Sequence, residues 1–355
     1  MNFEFRQRKI KPSIIALSIC TGLVLGTIFV LMGGYNVATV YSYLIKGSLG
    51  SVSALTSTIR WSTIFLLCGV ASGIAFKGGM FNMGTEGQLY MGAFSATLVG
   101  VYAKGLPPIV HIPLCLLTGM AAGALFASVP AVLRVYWNTN EIVVTLMMNY
   151  IAINLTNFLV KEYFLTSGIF GDSLTTDELL PSARFPVFGT SPISFGFLIG
   201  IVLVVLFIIF FNKTKKGFEI RVSGYNPEFA RYSGISVNKV RISVMLMSGA
   251  IAGLAGAAEI MGVQGRFLSG FSPDFGTSGM LVALLGNSSG IGIFVSSLFM
   301  GILKAGSLTL ERSAGVSRAL AVVIQALIIC FISVKSLNLS FNHLGNKKKE
   351  RSTQA

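Results

Sequence analysis

The sequence predicts an all-α fold, a polytopic bundle of about ten membrane-spanning helices, with eight as the alternative count. Of the 355 residues, 53% are hydrophobic and only 11% are charged, whereas roughly 25% are charged in soluble domains. At about 20 apolar residues per spanning helix, the apolar residues suffice for on the order of nine or ten spans. This composition excludes a soluble globular domain.

Several apolar segments of about bilayer length precede residue 213. The first follows the basic N-terminus, residues 1–11, and its uncharged stretch is too long for the core of a signal peptide. We therefore expect it to remain in the protein as a span. The predicted spans are 12–34, 59–76, 87–103, 109–134, 141–160 and 191–212.

Basic residues between these segments predict the orientation, because cytoplasmic loops carry an excess of Lys and Arg. Residues 213–241 hold seven basic residues against Glu219 and Glu228, which predicts a cytoplasmic loop. Residues 161–190 hold two basic residues against four acidic ones, so we expect this loop outside. Five crossings from a cytoplasmic N-terminus to the outer loop, and a sixth back, agree with both sides.

The C-terminal third predicts broken helices. Residues 242–263 and 317–336 each form a predicted span, and the basic tail 337–355 is expected inside, so an even number of crossings must lie between them. The run 277–309 contains the glycine-rich break GNSSGIG at 286–292. Such a break is tolerated in a membrane only where protein or water satisfies the backbone, which predicts a broken or re-entrant pair of helices. The transmembrane domain is thus expected over 12–336.

Rare residues exclude other classes of protein. The two histidines, His111 and His343, lie far apart and form no catalytic or metal constellation. The net charge of +14 is gathered in short segments between apolar runs, where it sets orientation rather than binding nucleic acid. The cysteines lie inside apolar runs without CxxC spacing and are expected to be small packing residues: Cys20, Cys68, Cys115 and Cys330.

Glycine pairs at a spacing of four indicate close helix packing. Gly accounts for 40 of the 355 residues, and small residues four apart let helix backbones approach closely in lipid. A specific role in dimerisation is the alternative to tight packing within the bundle. The pairs are Gly22 with Gly26, Gly119 with Gly123, and Gly249 with Gly253.

The segment 77–92, KGGMFNMGTEGQLYMG, is a candidate solute path. Its Asn82, Glu86 and Gln88 are costly to bury beside lipid unless they face a cavity or bond within the fold. The sequence leaves two interpretations open: contact with a permeating polar solute, or capping of a broken helix.

Three further polar residues share this ambiguity. Asn149 lies deep in the span that Asn138, Thr139 or Asn140 can cap, and it either bonds a neighbouring helix or faces the solute. Glu259 and Gln264 lie toward the outer end of the span 242–263. An intramembrane acid is a functional candidate, but ion coupling usually needs a partnered set, and the sequence gives no partner for Glu259.

A short helix is predicted at 227–233, within the cytoplasmic loop. Asn226 is a good N-cap, Pro227 suits the first helical position, and Gly234 suits the left-handed residue beyond the end. Phe229 and Tyr232 are three apart and share a face. This arrangement is suited to docking in a groove of another protein; a solvated loop with an incidental turn is the alternative.

Four ordered motifs resemble one known family. FNMGTEGQLYMGAFSA (81–96), NEIVVTLMMNYIA (140–152), GYNPEFARYSGISVNKVRI (224–242) and GVQGRFLSGFSPDFGTSGMLVALLGNSSGIGI (262–293) are similar to the membrane subunit of bacterial ABC importers. The family is the branched-chain amino acid and simple-sugar permease superfamily, and within it the sequence most resembles nucleoside importer permeases. The resemblance covers about residues 12–336 and neither tail.

The basic N-terminus and the basic tail are both expected in the cytosol, and the resemblance implies a multi-pass permease of the bacterial cytoplasmic membrane. It implies a cytosolic ABC ATPase, a second permease subunit and an extracellular substrate-binding lipoprotein as partners. It assigns the helix at 227–233 to ATPase coupling, with Asn226, Pro227, Ala230 and Gly234 at matching positions beside Phe229 and Tyr232. No GxxxxGK[ST] phosphate loop occurs, so we expect no cofactor on this chain and ATP use by the partner.

The expected function is import of a small polar solute, namely nucleosides, with simple sugars as the alternative. An ion-coupled secondary transporter is a weaker alternative, because partnered intramembrane charges are not evident from the sequence. A membrane-embedded enzyme would need a clustered catalytic constellation, which the sequence lacks.

Overall fold

Helices make up most of the described chain. The structure, a computed structural model, describes residues 27–28, 30–32, 34–166, 174–186, 195–314, 323 and 326. Strand pairing among these residues is limited to one isolated bridge, between Thr175 and Leu268. The helices are α1 Val37–Leu49, α2 Val52–Lys77, α3 Thr85–Tyr102, α4 Pro108–Trp137, α5 Glu141–Tyr163, α6 Phe195–Lys213, α7 Lys215–Tyr225, α8 Pro227–Tyr232, α9 Val237–Glu259, α10 Phe275–Leu285 and α11 Gly290–Ala314.

By length and composition, six described helical segments can cross a membrane: Val52–Lys77, Pro108–Trp137, Glu141–Tyr163, Phe195–Lys213, Val237–Gln264 and Gly290–Arg312. An all-helical membrane bundle is therefore confirmed. The count of ten stays a prediction. Of the predicted span 12–34, positions 27, 28 and 30–32 are described and helical. The span 317–336, apart from positions 323 and 326, and the tails 1–11 and 337–355 lie outside the described residues.

The chain divides into two units. The larger, Ile59–Gly301, contains α3 to α10, and the smaller combines Met1–Thr58 with Ile302–Ala355. In the smaller unit α1 packs on the C-terminal half of α11, where a Cβ added to Gly306 would lie 2.6 Å from the Leu44 carbonyl oxygen.

Helices α3, α4 and α9 form the centre of the larger unit. A Cβ built on Gly123 would lie 2.2 Å from the Gly249 carbonyl oxygen, and one on Gly92 would lie 2.3 Å from the Gly253 Cα. The predicted close packing of the pairs 119/123 and 249/253 is confirmed, because α4 and α9 touch through them. The pair 22/26 lies outside the described residues.

The break at 286–292 is confirmed. Helix α10 ends at Leu285 and α11 begins at Gly290, with Asn287 and Ser288 between them at φ values of 50° and 48°. Two consecutive residues in the left-handed region reverse the chain sharply, which a continuous helix cannot do. The Ser288 N–H still donates to the Ala283 carbonyl oxygen at 2.8 Å.

The predicted loop 213–241 is more ordered than expected. It contains α8, as predicted, and also α7, which the sequence analysis missed because the many charges of 215–225 suggested a solvated loop. Thr214 caps α7 by accepting from the Gly217 N–H at 3.0 Å. Two short helices, rather than one, therefore follow α6.

Candidate functional site

The N-terminal turn of α3 is held by a buried network of amides. The Asn82 Nδ2 donates to Gln88 Oε1 and to Ser248 Oγ, each at 2.8 Å, while its Oδ1 accepts from the Gly84 N–H at 3.0 Å. Gln88 Nε2 donates back to Asn82 Oδ1 at 3.1 Å. Asn82, Gln88 and Ser248 are each at most 1% exposed. These amides join α3 to α9 by hydrogen bonds within the fold. Of the two interpretations of the segment 77–92, such bonding belongs to the structural one.

Asn149 extends this network to α5. Its Oδ1 accepts from the Gly87 N–H and its Nδ2 donates to the Met83 carbonyl oxygen, both at 2.8 Å. The residue thus bonds a neighbouring helix, as one of the two interpretations predicted. The cap of α5 is Asn140, whose Oδ1 accepts from the Ile142 N–H at 3.0 Å. A role of Asn149 in the solute path stays a prediction.

Glu86 lies where the N-termini of α3 and α10 meet. Its Oε2 accepts from the Gly276 N–H at 2.5 Å, and the residue is 5% exposed. A Cβ on Gly276 would lie 2.4 Å from the Glu86 backbone nitrogen, so only glycine allows this approach. The N-terminal ends of helices favour a negative group, which explains how a carboxylate is accommodated here.

A second polar cluster joins α2 to the end of α9. Arg60 Nη2 lies 3.3 Å from Glu259 Oε1, and the guanidinium carbon lies 4.9 Å above the Trp61 ring centroid. Gln264 Nε2 donates to the same Glu259 oxygen at 3.3 Å. This charged partner of Glu259 was not evident from the sequence, because Arg60 lies 199 residues away along the chain.

Arg60 is a functional candidate that was not predicted from the sequence. A signal existed, because Arg60 is the only charged residue between Lys46 and Lys77 and falls inside the predicted span 59–76. An arginine within a membrane segment is a functional candidate in its own right. Ser248 was also missed, and a lone serine in a glycine- and alanine-rich helix gives no comparable signal.

Helix α8 follows the predicted cap pattern. The Asn226 Oδ1 accepts from the Phe229 N–H at 3.0 Å, Pro227 occupies the first turn, and Gly234 adopts a φ of 79°. The helix ends at Tyr232, one residue earlier than predicted. Ala230 is buried, whereas the side chains of Phe229 and Tyr232 are 57% and 92% exposed.

Residues 174–186 lie along the stretch that follows α9. The Thr176 N–H donates to the Phe267 carbonyl oxygen at 3.1 Å and the Leu179 N–H to that of Gly265 at 2.9 Å. Glu178 accepts from Arg184 at 2.6 Å and also pairs with Arg266. The hydrogen bond from Arg184 and the two guanidinium charges hold the pKa of Glu178 below its usual range.

The described residues contain no group of three or more His, Cys, Asp and Glu side chains placed to hold a metal. His111 is buried, with Nδ1 2.9 Å from Ser182 Oγ and Nε2 3.1 Å from the Val99 carbonyl oxygen. Cys68 and Cys115 are free and buried among packed helices.

These features define a multi-pass, all-helical membrane protein with buried polar clusters. The family model described as the branched-chain amino acid transport system permease component matches residues 54–333. The chain belongs to this family of ABC transporter permeases. It is accordingly a membrane transport component rather than an enzyme, and permeases of this kind work with ATPase and substrate-binding partners.

The alignments with three relatives each cover most of this chain and most of the relative. The guanosine ABC transporter permease NupP of Bacillus subtilis is 36% identical over 89% of this chain and 91% of its own. A glucose ABC transporter permease of Haloferax volcanii is 33% identical over 93% of this chain and 90% of its own. The nucleoside ABC transporter permease NupB of Lactococcus lactis is 33% identical over 93% and 92%, respectively.

Among solved structures, a metal-chelate type ABC transporter in an inward-facing conformation aligns with a TM-score of 0.44 and 13% identity. The alignment covers 92% of this chain and 99% of that one. Likeness at this level says nothing about the solute.

Proposed function

We infer that the chain is the membrane-spanning permease subunit of an ATP-driven importer of nucleosides in a bacterial cytoplasmic membrane. The observation that supports the solute class is similarity over most of the chain to a guanosine permease and a nucleoside permease, at 36% and 33% identity. A simple sugar is the second candidate, because a glucose permease is 33% identical over 93% of this chain.

Reconstitution tests the solute class. The permease is placed in proteoliposomes with its ATPase and binding protein, and uptake of labelled guanosine, uridine, ribose and glucose is followed with ATP and without it. We expect ATP-dependent uptake of the two nucleosides and not of the sugars. Uptake that survives ATP depletion and collapses with an ionophore would contradict an ATP-driven importer.

Helix α8 is the proposed contact for the ATPase. Its support is the pair of exposed aromatic side chains, Phe229 and Tyr232, on a helix fixed by the Asn226 cap and closed by Gly234. Large exposed apolar groups on a rigid helix suit a groove in a protein partner. The buried Ala230 fastens the other face of α8 to the permease, so that a push on α8 reaches the bundle.

The ATPase contact is tested by co-purification. Phe229→Asp is expected to abolish recovery of the ATPase while the permease still inserts, because a charge would enter an apolar contact. Phe218→Asp is the matched control, since Phe218 on α7 is 55% exposed. Recovery of the ATPase with Phe229→Asp at parental yield would refute the assignment.

The proposed orientation puts 213–241 and both termini in the cytosol and 174–186 outside. Its support is the excess of basic residues in the first segment and of acidic residues around the second. Tyr232→Cys should react with a membrane-impermeant maleimide only in inverted vesicles, and Glu178→Cys only in right-side-out vesicles. Labelling of Tyr232→Cys from the outside would show that the proposed orientation is the wrong way round.

The remaining partners follow from the same proposal. A second permease subunit completes the path, a substrate-binding lipoprotein delivers the solute outside, and this chain binds no cofactor of its own because the ATPase uses the ATP. Of the six candidate residues for the solute path, the amides of Asn82, Gln88 and Asn149 are engaged between helices, and the Glu86 carboxylate accepts a backbone hydrogen bond. Glu259 and Gln264 are bonded to each other, and Glu259 also to Arg60, so their proposed role in the solute path is through this cluster.

A further inference from the structure

The Arg60 side chain is partly exposed, although it lies on one of the two most buried spanning helices. In an apolar 18-residue window of α2 and of the α9 span, 83% and 78% of the residues are buried, compared with 22% to 28% in the corresponding windows of α4, α5 and α6. The Arg60 side chain is nevertheless 29% exposed, whereas that of Glu259 is 4% exposed. Because a charged side chain beside lipid is costly, we expect the exposed part of Arg60 to lie at a polar cavity.

Packing and pairing fix the direction of this guanidinium. One face lies on Trp61, which is held in turn by Phe65 and Phe275 at centroid distances of 6.3 and 5.8 Å. The Glu259 oxygen holds Nη2 from the side at 3.3 Å. A planar guanidinium fixed in this way loses little further freedom when it binds an additional group.

A π-helical turn, Ile260–Gln264, places the second group on Glu259. Positions five apart diverge on an α-helix but come together in a π-turn, and π-turns are frequent at functional sites. This is why Gln264 Nε2 can donate to Glu259 Oε1, five residues away. Both hydrogen bonds to this carboxylate end on the same oxygen, which holds the acid in one rotamer.

Arg60 has N–H groups that its described hydrogen bond to Glu259 does not use. Within the described part of the chain its hydrogen bonds involve Nη2, while Nε is buried and without a partner. A guanidinium has five N–H donors, and its Nη1–Nη2 edge matches two adjacent acceptors in one plane. Adjacent acceptors of this kind occur on a purine base, in the O6 and N7 atoms of guanine. Hexose hydroxyls form no such planar acceptor pair.

We propose that Arg60 contacts the transported solute, donating from its Nη1–Nη2 edge to the carbonyl oxygen and ring nitrogen of a purine nucleoside. Glu259 and Gln264 are positioning residues that hold the guanidinium toward the cavity. This assignment rests on the proposed import of nucleosides and narrows it to a base that presents two neighbouring acceptors.

The test measures KM for uptake of guanosine and 7-deazaguanosine, which lacks N7, by the complete reconstituted transporter. Arg60→Lys keeps a positive charge beside Glu259 but removes the planar fork. We expect the preference for guanosine over 7-deazaguanosine, measured with the same binding protein, to fall about tenfold, which is within the discrimination that a bidentate contact gives. A preference equal to that of the parental complex overturns the assignment.

A matched control is Arg134→Lys, because Arg134 forms an ion pair with Glu141 at 2.9 Å and its side chain is 25% exposed. It should leave the preference unchanged, and an equal fall in this control would also overturn the assignment. If Arg60→Lys fails to insert, Gln264→Leu takes its place, with a smaller fall expected and an unchanged preference counting against the proposal.

The outcome separates two failures. If the variants take up nucleosides with the parental preference for guanosine, only the proposed Arg60 contact is refuted. If the parental complex takes up glucose but neither nucleoside, the proposed solute is refuted, and the proposed contact with the base is refuted with it.

Discussion

Gly123 of α4 and Gly249 of α9 face each other with no room for a side chain between them. A Cβ on Gly123 would lie 2.2 Å from the carbonyl oxygen of Gly249, and one on Gly249 would lie 2.6 Å from that of Gly123. The obstacle is backbone on both sides, which no rotamer change can relieve. The distance between these two helices is therefore determined by the absence of two methyl groups.

Gly123→Ala is expected to lower the free energy of unfolding by about 1–3 kcal/mol, the usual cost of overpacking. The measurement is thermal unfolding of the purified permease in detergent. Leu125→Ala, on the same helix and at a position 74% exposed, is the control and should leave the midpoint near the parental value. Equal midpoints for Gly123→Ala and the parental protein would mean that the helices separate without cost.

Asn82→Ala is expected to destabilise the permease by about 1–3 kcal/mol, because Gln88 and Ser248 would lose a buried partner. The effect should appear in thermal unfolding and in the yield of assembled complex. Asn154→Ala provides the comparison, since Asn154 is exposed and donates within its own helix, to the Tyr150 carbonyl oxygen. Full stability with reduced uptake would assign Asn82 to the solute path instead.

Gly234→Ala should weaken binding of the ATPase, because a non-glycine residue in the left-handed region costs about 1–2 kcal/mol and Gly234 has a φ of 79°. The chain is expected to relax by turning the end of α8. Gly270→Ala is a matched control, with a φ of 72° and, like Gly234, open space around the missing Cβ. Co-purification compares the two, and equal retention of the ATPase would show that the geometry at Gly234 is unimportant for docking.

The hydrogen bonds and ion pairs that hold residues 174–186 against the stretch after α9 should weaken in acid. The pKa of Glu178 is lowered in the folded protein, so its contribution to stability is present above the unfolded pKa and is lost as the pH falls through the folded one. Hydrogen exchange at the Thr176 and Leu179 amides should therefore be faster in acid than the intrinsic slowing of exchange predicts, and this excess is measured as a fall in their protection factors. In Glu178→Gln this excess should disappear; if it persists, another group is responsible.

The sequence predicted the features that depend on neighbouring residues. The spans follow from local hydropathy, the start of α8 from Asn226 and Pro227, and the break after Leu285 from its glycines. Close packing at the glycine pairs was predicted from their spacing, but the spacing did not indicate that α4 packs on α9.

Contacts between distant segments could not be predicted in this way. Asn82 meets Ser248 across 166 positions, and Arg60 meets Glu259 across 199. No periodicity connects such residues, so only the folded bundle brings them together. Helix α7 was missed for a different reason, since its charges resemble those of a solvated loop and its cap, Thr214, gives only a weak signal.

Asn226 belongs to the ends of two helices at once. Its N–H closes α7 on the Val222 carbonyl oxygen at 3.0 Å, while its side chain opens α8 on the Phe229 N–H at the same distance. Two helices thus meet at one amino acid, without a spacer that could flex. A force applied to α8 is therefore transmitted directly to α7. A substitution of Asn226 would alter the end of α7 and the start of α8 together.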